Sequence, residues 1–423
     1  MFPVNRDGPV KALLLSVAAD PMPAVATLQR LTPEFLCFFL PESLKSLVES
    51  DIYPQLSFIP QRWDWVFTEH PESFALSHRA LTEKLPSLLE TWQIASGELV
   101  VDLTSASSGM AAAMALVTLP FTSKIIMLES GDAERGNDRN AGKAGGTACT
   151  WSESNPWDEQ AIWFRQEAGA FFNRGEYKAA SQALRSLERR VSGNGKPLYR
   201  ALADLAQGYA LWDQLQYRQA WDKLKSALKA LTFASAWGGP TGIDTTLRRV
   251  KGNVQFLEHI VLDPQEIKPK IALDLLAHAK RRADRDRDGE FATRILFRAL
   301  EAFAQTNLFS HHRIKSWDVR LEQLPQALQE TCRTCYLNDI DGKYRLPLQA
   351  QFRVLAGLGD PMGQTFLGQW ATMKTLIDAA DHAVLGEGFE PIKIERFHQL
   401  YELVLKLSGM HGSDLPVFPT MNL

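Results

Sequence analysis

The first 130 residues repeat one pattern that constrains the fold more than anything else in the chain: a short apolar run, a polar turn, then an amphipathic stretch. The runs are residues 11–19, Phe35–Leu40, Trp63–Phe67, Leu99–Leu103 and Lys124–Leu128. Each reads as a strand, and those at 11–19, Phe35–Leu40 and Leu99–Leu103 as strands buried in the sheet. A helix is expected after Asp20-Pro21-Met22-Pro23, a second holding Leu44, Leu47 and Val48 with Ser43 as its cap, a third near 73–92 and a fourth from about Ser108. Such alternation predicts an α/β, Rossmann-like domain with a right-handed, doubly wound parallel sheet.

One junction points to function. Leu99-Val100-Val101-Asp102 leads through Leu103-Thr104-Ser105-Ala106-Ser107-Ser108 into the alanine-rich run from Gly109 to Leu116. A strand, a hydroxyl-rich turn and a helix N-terminus offer side-chain donors, unpaired backbone N–H groups and the positive end of a helix dipole. That set suits a phosphate-bearing ligand. An ordinary strand-to-helix turn capped by serine is the other reading of the same residues. Ser16, Ala18, Ala19 and Asp20 close the first strand and are expected at the same carboxyl edge as Thr104 to Ser108, where the two turns would share one ligand. No Gly-x-Gly-x-x-Gly follows the first strand; Ala18 and Ala19 stand where glycines would let the backbone approach a pyrophosphate, which argues against a nicotinamide dinucleotide.

At 423 residues the chain exceeds what one core supports and should form two or three domains. No stretch approaches the ~18 consecutive apolar residues of a membrane span, and the N-terminus lacks a basic region followed by a long apolar one, so no membrane partner and a cytoplasmic location are expected. Four cysteines make no disulfide framework, and Cys332-x-x-Cys335 has no second pair at zinc spacing, so the thiols read as buried or idle and no cofactor is expected. A net charge of −3 gives no global attraction to nucleic acid, leaving only a local patch for such a partner.

Beyond the fifth strand, the Gly/Asn/Arg/Lys-rich run from Gly131 to Gly146 reads as a polar linker, or as an anion-binding flap using Arg135 and Arg139. Helical patterning follows from Asn155-Pro156-Trp157. Tyr177, Ala180 and Leu184 are echoed 40 positions later by Tyr217, Ala220 and Leu224, as in tetratricopeptide packing, and two copies predict a helical connector rather than a free solenoid. Residues 236–242 break the helices. The last third is helical again. Ile271, Leu273, Leu275, Leu276 and Ala279 share one helix whose tail, residues 280–288, alternates in sign; with Arg294, Arg298 and Glu301 on the next helix it reads as a solvated, mutually paired face rather than an RNA groove. The histidines, including His311-His312, read as isolated.

The pair of N-terminal turns resembles the CARF domain, the CRISPR-associated Rossmann-fold sensor of cyclic oligoadenylates. The family's second motif runs approximately Asp-x-Thr-Gly-Gly-Thr-Lys-x-Met. Asp102, Thr104 and Met110 match it, Ser105 and Ala106 replace the glycines, Ser107 the threonine and Ser108 the lysine, which removes a cation suited to phosphates. Residues 376–391 resemble the catalytic segment of the HEPN domain that follows many CARF domains, in which an Arg-Asn pair precedes a Ser and then Ala-His-Gly-Phe. With Gly388-Phe389 fixing the register, Ala380 stands for the arginine, Asp381 for the asparagine, Ala383 for the serine and Glu387 for the histidine. Ala380 can neither neutralise charge growing on phosphorus nor move a proton; Glu387 could accept a proton only against the repulsion of its own charge for the phosphate, and His382 stands as a relocated acid or base.

The resemblance implies a CARF-like domain over residues 1–150, a helical connector over 151–262 and a HEPN-like bundle over 263–423. It implies a homodimeric regulator in antiviral defence that binds a cyclic oligoadenylate and has lost the usual ribonuclease pair. The implied nucleotide-binding residues are Ser16, Ala18, Ala19, Asp20, Thr104, Ser105, Ser107, Ser108, Met110 and Arg135. Two alternatives accompany it, both metal-independent phosphodiesterases: a ring nuclease using the ligand's own 2′-hydroxyl in the sheet pocket, and a ring-activated endonuclease acting on single-stranded RNA through a non-standard site at His382 or Glu387.

Overall fold

The structure, a computed structural model, describes residues 10–130, 141–144, 147–236 and 243–422. It divides into two compact units, Met1–Arg165 with Arg185–Tyr199, and Gln166–Leu184 with Arg200–Leu423.

The first unit contains β1 (Ala12–Ser16), α1 (Met22–Leu31), β2 (Phe35–Leu40), α2 (Lys45–Leu47), β3 (Arg62–Phe67), α3 (Phe74–Thr91), β4 (Leu99–Asp102), α4 (Ser108–Thr118), β5 (Thr122–Ser130), β6 (Ala141–Ala144) and β7 (Thr147–Ser154). All seven strands form one sheet in the order β3-β2-β1-β4-β5-β7-β6. The expected apolar runs are the first five strands, parallel throughout. Their side chains alternate between the faces: Leu13, Leu15, Leu36 and Phe38 pack with Val25 and Leu28 of α1, while Leu14, Cys37, Phe39 and Val101 pack with Leu81 and Leu85 of α3 and Met114 of α4. Burial on both faces is why β1, β2 and β4 carry no polar stripe.

Three expectations are corrected here. The sheet is mixed, because β7 runs antiparallel to β5 and carries β6 on its outer side. Its anchor is Trp151, 6% exposed, with Arg30 stacked 4.7 Å above the ring; Glu153, two residues on, pairs with Arg30 and Lys124, each at 2.8 Å. Ala141–Ala144, expected in a polar linker, is therefore a strand, while Arg135 and Arg139 lie outside the described residues. Ser43 caps no helix. It sits inside a single 3-10 turn, Glu42–Leu44, that opens after the extended Pro41.

The helices that follow are α5 (Pro156–Asn173), α6 (Tyr177–Arg190), α7 (Lys196–Asp213), α8 (Tyr217–Ala236), α9 (Ile243–Val261), α10 (Pro269–Asp286), α11 (Gly289–His312), α12 (Gln326–Cys335), α13 (Leu348–Gly357), α14 (Pro361–Gly368), α15 (Trp370–Asp381) and α16 (Ile394–Ser408). The 40-residue echo is a structural repeat. The α5–α6 turn passes through Gly175 at φ +83°, and the α7–α8 turn through Leu215 at φ +60°. In one, the N–H groups of Gly175 and Glu176 donate to the carbonyls of Phe172 and Phe171, and in the other those of Leu215 and Gln216 donate to Trp212 and Leu211.

In the second unit α10 and α11 form a hairpin turned at Arg287 (φ +56°), with the Asp288 carboxylate accepting from Phe291 N at 3.0 Å to cap α11. Leu276, Leu296, Phe352, Phe366 and Phe397 belong to one core beneath them. The sign-alternating tail of α10 is paired at the surface through Lys280–Asp284 (2.9 Å) and Arg282–Asp286 (3.0 Å). Arg281 departs from that expectation. It turns inward toward the fully buried Asp274, at 3.6 Å. Cys332 is buried and Cys335 exposed, on a helix as expected.

Candidate functional site

The order β3-β2-β1-β4-β5 makes the chain leave β1 toward one side of the sheet and β4 toward the other. In open α/β sheets the crevice at such a switch point, outside the carboxyl ends of the strands, is where ligands bind. Leu15 is in register with Asp102, so the turns after β1 and β4 emerge side by side. The structure thus brings together the two turns that the sequence singled out.

Their side chains do different things. Asp102, 2% exposed, is the knot of the β4 turn: one oxygen accepts from Thr27 Oγ1 (2.6 Å), the other from the N–H (2.8 Å) and hydroxyl (2.5 Å) of Thr104. Burial pushes its carboxyl above the ordinary range, against the pull of those hydrogen bonds. Thr104 Oγ1 also accepts from Leu128 N at 2.9 Å, tying the turn to β5. Ser107 is the N-cap of α4, accepting from Met110 N at 3.3 Å and donating to the carbonyl of Pro71 at 2.5 Å. Gly109 admits that neighbour: a Cβ there would lie 2.5 Å from Glu72 O. The hydroxyls of Thr104 and Ser107 are therefore engaged in the turn itself.

Ser16 differs from them. It is the last residue of β1, 2% exposed, and its Oγ has no hydrogen-bond partner among the described residues. Buried hydroxyls are rarely left so, and one at the crevice beside a helix N-terminus is suited to an incoming oxygen. Ala18 is half-buried and Ala19 exposed; Asp20 accepts from Met22 N at 3.0 Å and so closes the start of α1. Ser105 is half-buried, Ser108 exposed, and Met110 lies in the core under the sheet at 2% exposure. Arg135 lies outside the described residues.

The second candidate segment ends α15. Ala380 and Ala383 are buried, at 2% and 3%, while Asp381, His382 and Glu387 are exposed. The loop is wound tightly: Glu387 N–H donates to Asp381 O (2.6 Å) and Gly388 N–H to Ala383 O (3.1 Å), and a Cβ on Gly388 would fall 1.7 Å from His382 O. His382 Nδ1 donates to Asp378 O at 2.7 Å, which leaves Nε2 as the ring's acceptor. Sequence reasoning missed Glu290. From the first turn of α11 its carboxylate accepts from Val384 N and Leu385 N, both at 3.3 Å, and Ile392 N at 2.7 Å.

The histidine pair is not isolated. His311 Nδ1 lies 3.2 Å from Asp360 Oδ2, and His311, His312 and Asp360 are the one group among the described residues whose donor atoms gather within 4.8 Å, as a metal would require. Asp360 is already committed, capping α14 through Met362 N at 2.8 Å.

Comparison with known proteins gives two family matches and a shared fold. Residues 263–411 match the model of the Csm6 HEPN domain and residues 164–257 that of the Csm6 6H domain. Among solved structures, Enterococcus italicus Csm6 bound to cyclic hexa-2'-fluoro-hexa-dAMP is similar at a TM-score of 0.59 and 11% identity, covering 96% of each chain. Can2 from Sulfobacillus thermosulfidooxidans in complex with cyclic tetra-adenylate aligns over 48% of this chain and 67% of its own, at 13% identity and a TM-score of 0.23. No curated protein matches.

Proposed function

This chain belongs to the CRISPR-associated CARF–HEPN family, and from that premise we propose that it is a cyclic oligoadenylate sensor whose HEPN part has lost the usual ribonuclease pair. The ligand sits at the crevice between the turns after β1 and β4. One observation carries the reading: the unpartnered buried hydroxyl of Ser16 beside the turn that delivers the N-terminus of α4. Backbone N–H groups and hydroxyls, rather than a lysine at position 108, then hold the phosphates. The altered HEPN segment supports the regulatory half, because Ala380 is buried and carries no charge for a phosphate. The domain division at about residues 150 and 262, a homodimer and single-stranded RNA as a further partner belong to the same proposal.

A second reading keeps ribonuclease activity, and it rests on His382, whose ring is anchored through Nδ1 and leaves Nε2 free beside the exposed Asp381 and Glu387.

Purified protein incubated with cyclic tri-, tetra- and hexa-adenylate and with labelled single-stranded RNA tests both. Binding of at least one ring is expected, weakened about three- to tenfold by Ser16→Ala, which removes one hydrogen bond. No binding of any ring overturns the sensor. RNA cleavage that depends on added ring and disappears with His382→Gln establishes the second reading, and ring opening lost in Ser107→Ala moves the chemistry to the sheet edge.

A further inference from the structure

The second unit contains a cavity of about 560 Å³ with no part in the site above, walled by the α5–α6 turn, α10, α16 and the C-terminal stretch 412–420. Small-molecule sites typically span ~300–1,000 Å³, with mostly apolar walls and a few placed polar groups. The apolar walls here include Phe172, Leu405, Val417 and Phe418. We propose that this cavity binds a small aromatic anion, a phosphate or carboxylate carried on a flat ring, with Arg281 and Tyr401 holding the anionic group.

Arg281 is the reason. Its side chain is 14% exposed, and none of its guanidinium nitrogens has a hydrogen-bond partner among the described residues. The nearest carboxylate, Asp274, is 3.6 Å away, outside hydrogen-bond range, and its two oxygens already accept from Trp212 Nε1 (3.0 Å) and Tyr217 Oη (2.9 Å). The other cations on the same wall are spent, Lys280 on Asp284 and Arg285 on Asp286. A guanidinium with a flat fork of donors left open is matched by a carboxylate or phosphate oxygen pair. The Tyr401 hydroxyl, buried and also without a partner, is the second donor. Arg281 lies 4.0 Å over the Phe418 ring.

The outer wall is held in place before any ligand arrives. Asn173 Nδ2 donates to Met421 O (3.2 Å) and its Oδ1 accepts from Met421 N (2.7 Å), Thr246 donates to Thr420 O (3.0 Å), and Asn253 donates to Val417 O (3.0 Å). A formed cavity with two orphaned donors and aromatic walls selects a flat body with one anionic end; phenyl phosphate and benzoate represent the phosphate and carboxylate forms.

Titration calorimetry on the full chain with phenyl phosphate, benzoate and inorganic phosphate tests the assignment. Saturable binding of at least one aromatic anion is expected, at least tenfold tighter than inorganic phosphate, lost in Arg281→Met and weakened in Tyr401→Phe. Because Arg281→Met also strips a buried carboxylate of its counter-charge, Leu405→Trp, which fills the cavity and replaces neither donor, provides the independent arm and is expected to abolish the binding while the chain stays folded. No saturable binding by either aromatic anion, or binding unchanged in Leu405→Trp, overturns the proposal. Binding of benzoate alone narrows it to carboxylates.

Discussion

The two altered turns, residues 103–110 behind β4 and 382–392 behind α15, are held in opposite ways. In the first, the polar side chains are the scaffold: Asp102, Thr104 and Ser107 bond to Thr27, Leu128 and Pro71, while Ser16 across the crevice keeps a buried hydroxyl without a partner among the described residues. In the second, the chemistry-bearing side chains Asp381, His382 and Glu387 face solvent, and the loop is held by backbone bonds and from outside by Glu290. A substitution in the first turn therefore reads out as stability as well as binding. In the second it reads out as chemistry with the fold intact. Change in a family motif has a different meaning in each: in the first turn Ser107, standing for the family threonine, builds the turn with its hydroxyl, whereas the second loop is held by backbone bonds and Glu290 rather than by its exposed side chains.

Position 380, in the last turn of α15 just before the second turn, gives the largest effect. Ala380 is 2% exposed, so Ala380→Arg, which would restore the family residue, has to bury a charge or displace α15. A loss of about 3 kcal/mol or more is expected by denaturant unfolding, of the size that burying an unpaired charge brings. An arginine accommodated there without loss would show that the second turn is plastic enough to recover the motif, and the contrast between the turns would weaken.

Next in size is Asp102→Ala, which strands three donors and should cost about 2–3 kcal/mol. The pH dependence sharpens it. A carboxyl whose folded pKa stands above its ordinary 3.8 adds stability below that value and loses it as pH rises through the folded pKa. The melting temperature of the parent chain minus that of Asp102→Asn should therefore fall as pH is raised from below 4; a flat difference would mean that the threonine bonds cancel the effect of burial, and a rising one that they outweigh it. Glu290→Gln should be smaller and local. About 1 kcal/mol of protection is expected to disappear from the amides of Val384, Leu385 and Ile392 in hydrogen exchange, with little change in global unfolding. If global stability falls instead, the second turn is a keystone like the first.

How much of this was legible in the sequence follows the same division. Strands β1, β2 and β4 were readable because burial on both faces leaves no choice but an unbroken apolar run, and β3 and β5 from their place in the same alternation. The hairpin of β6 and β7 was not, since its signal is a single tryptophan alternating with polar residues after a glycine-rich run. The 40-residue echo was visible in Tyr177 and Tyr217, but not its turn, because Leu215 adopts the left-handed conformation that glycine supplies at 175. Arg281 was hidden inside an alternating charge run. The available clue was Asp274 within an apolar stripe seven residues earlier, two helical turns away on the same face. Glu290 left no trace, since its three partners are backbone groups about 100 residues distant.

The smallest expected effect is the most discriminating for function. Asp381→Asn and His382→Gln, made together, alter two exposed side chains, of which only His382 makes a bond, to the Asp378 carbonyl within its own helix end. Such surface changes usually stay within about 0.5 kcal/mol, so the melting temperature should move by no more than a degree or two. If ring binding also stays unchanged while a ring-dependent RNA cleavage disappears, the second turn is an active site tuned independently of the fold. If neither RNA cleavage nor ring binding responds, the loop is a solvent-facing closure of α15, and the sensing function rests on the sheet edge, where Ser16→Ala acts on binding through the hydroxyl that the turn has not used.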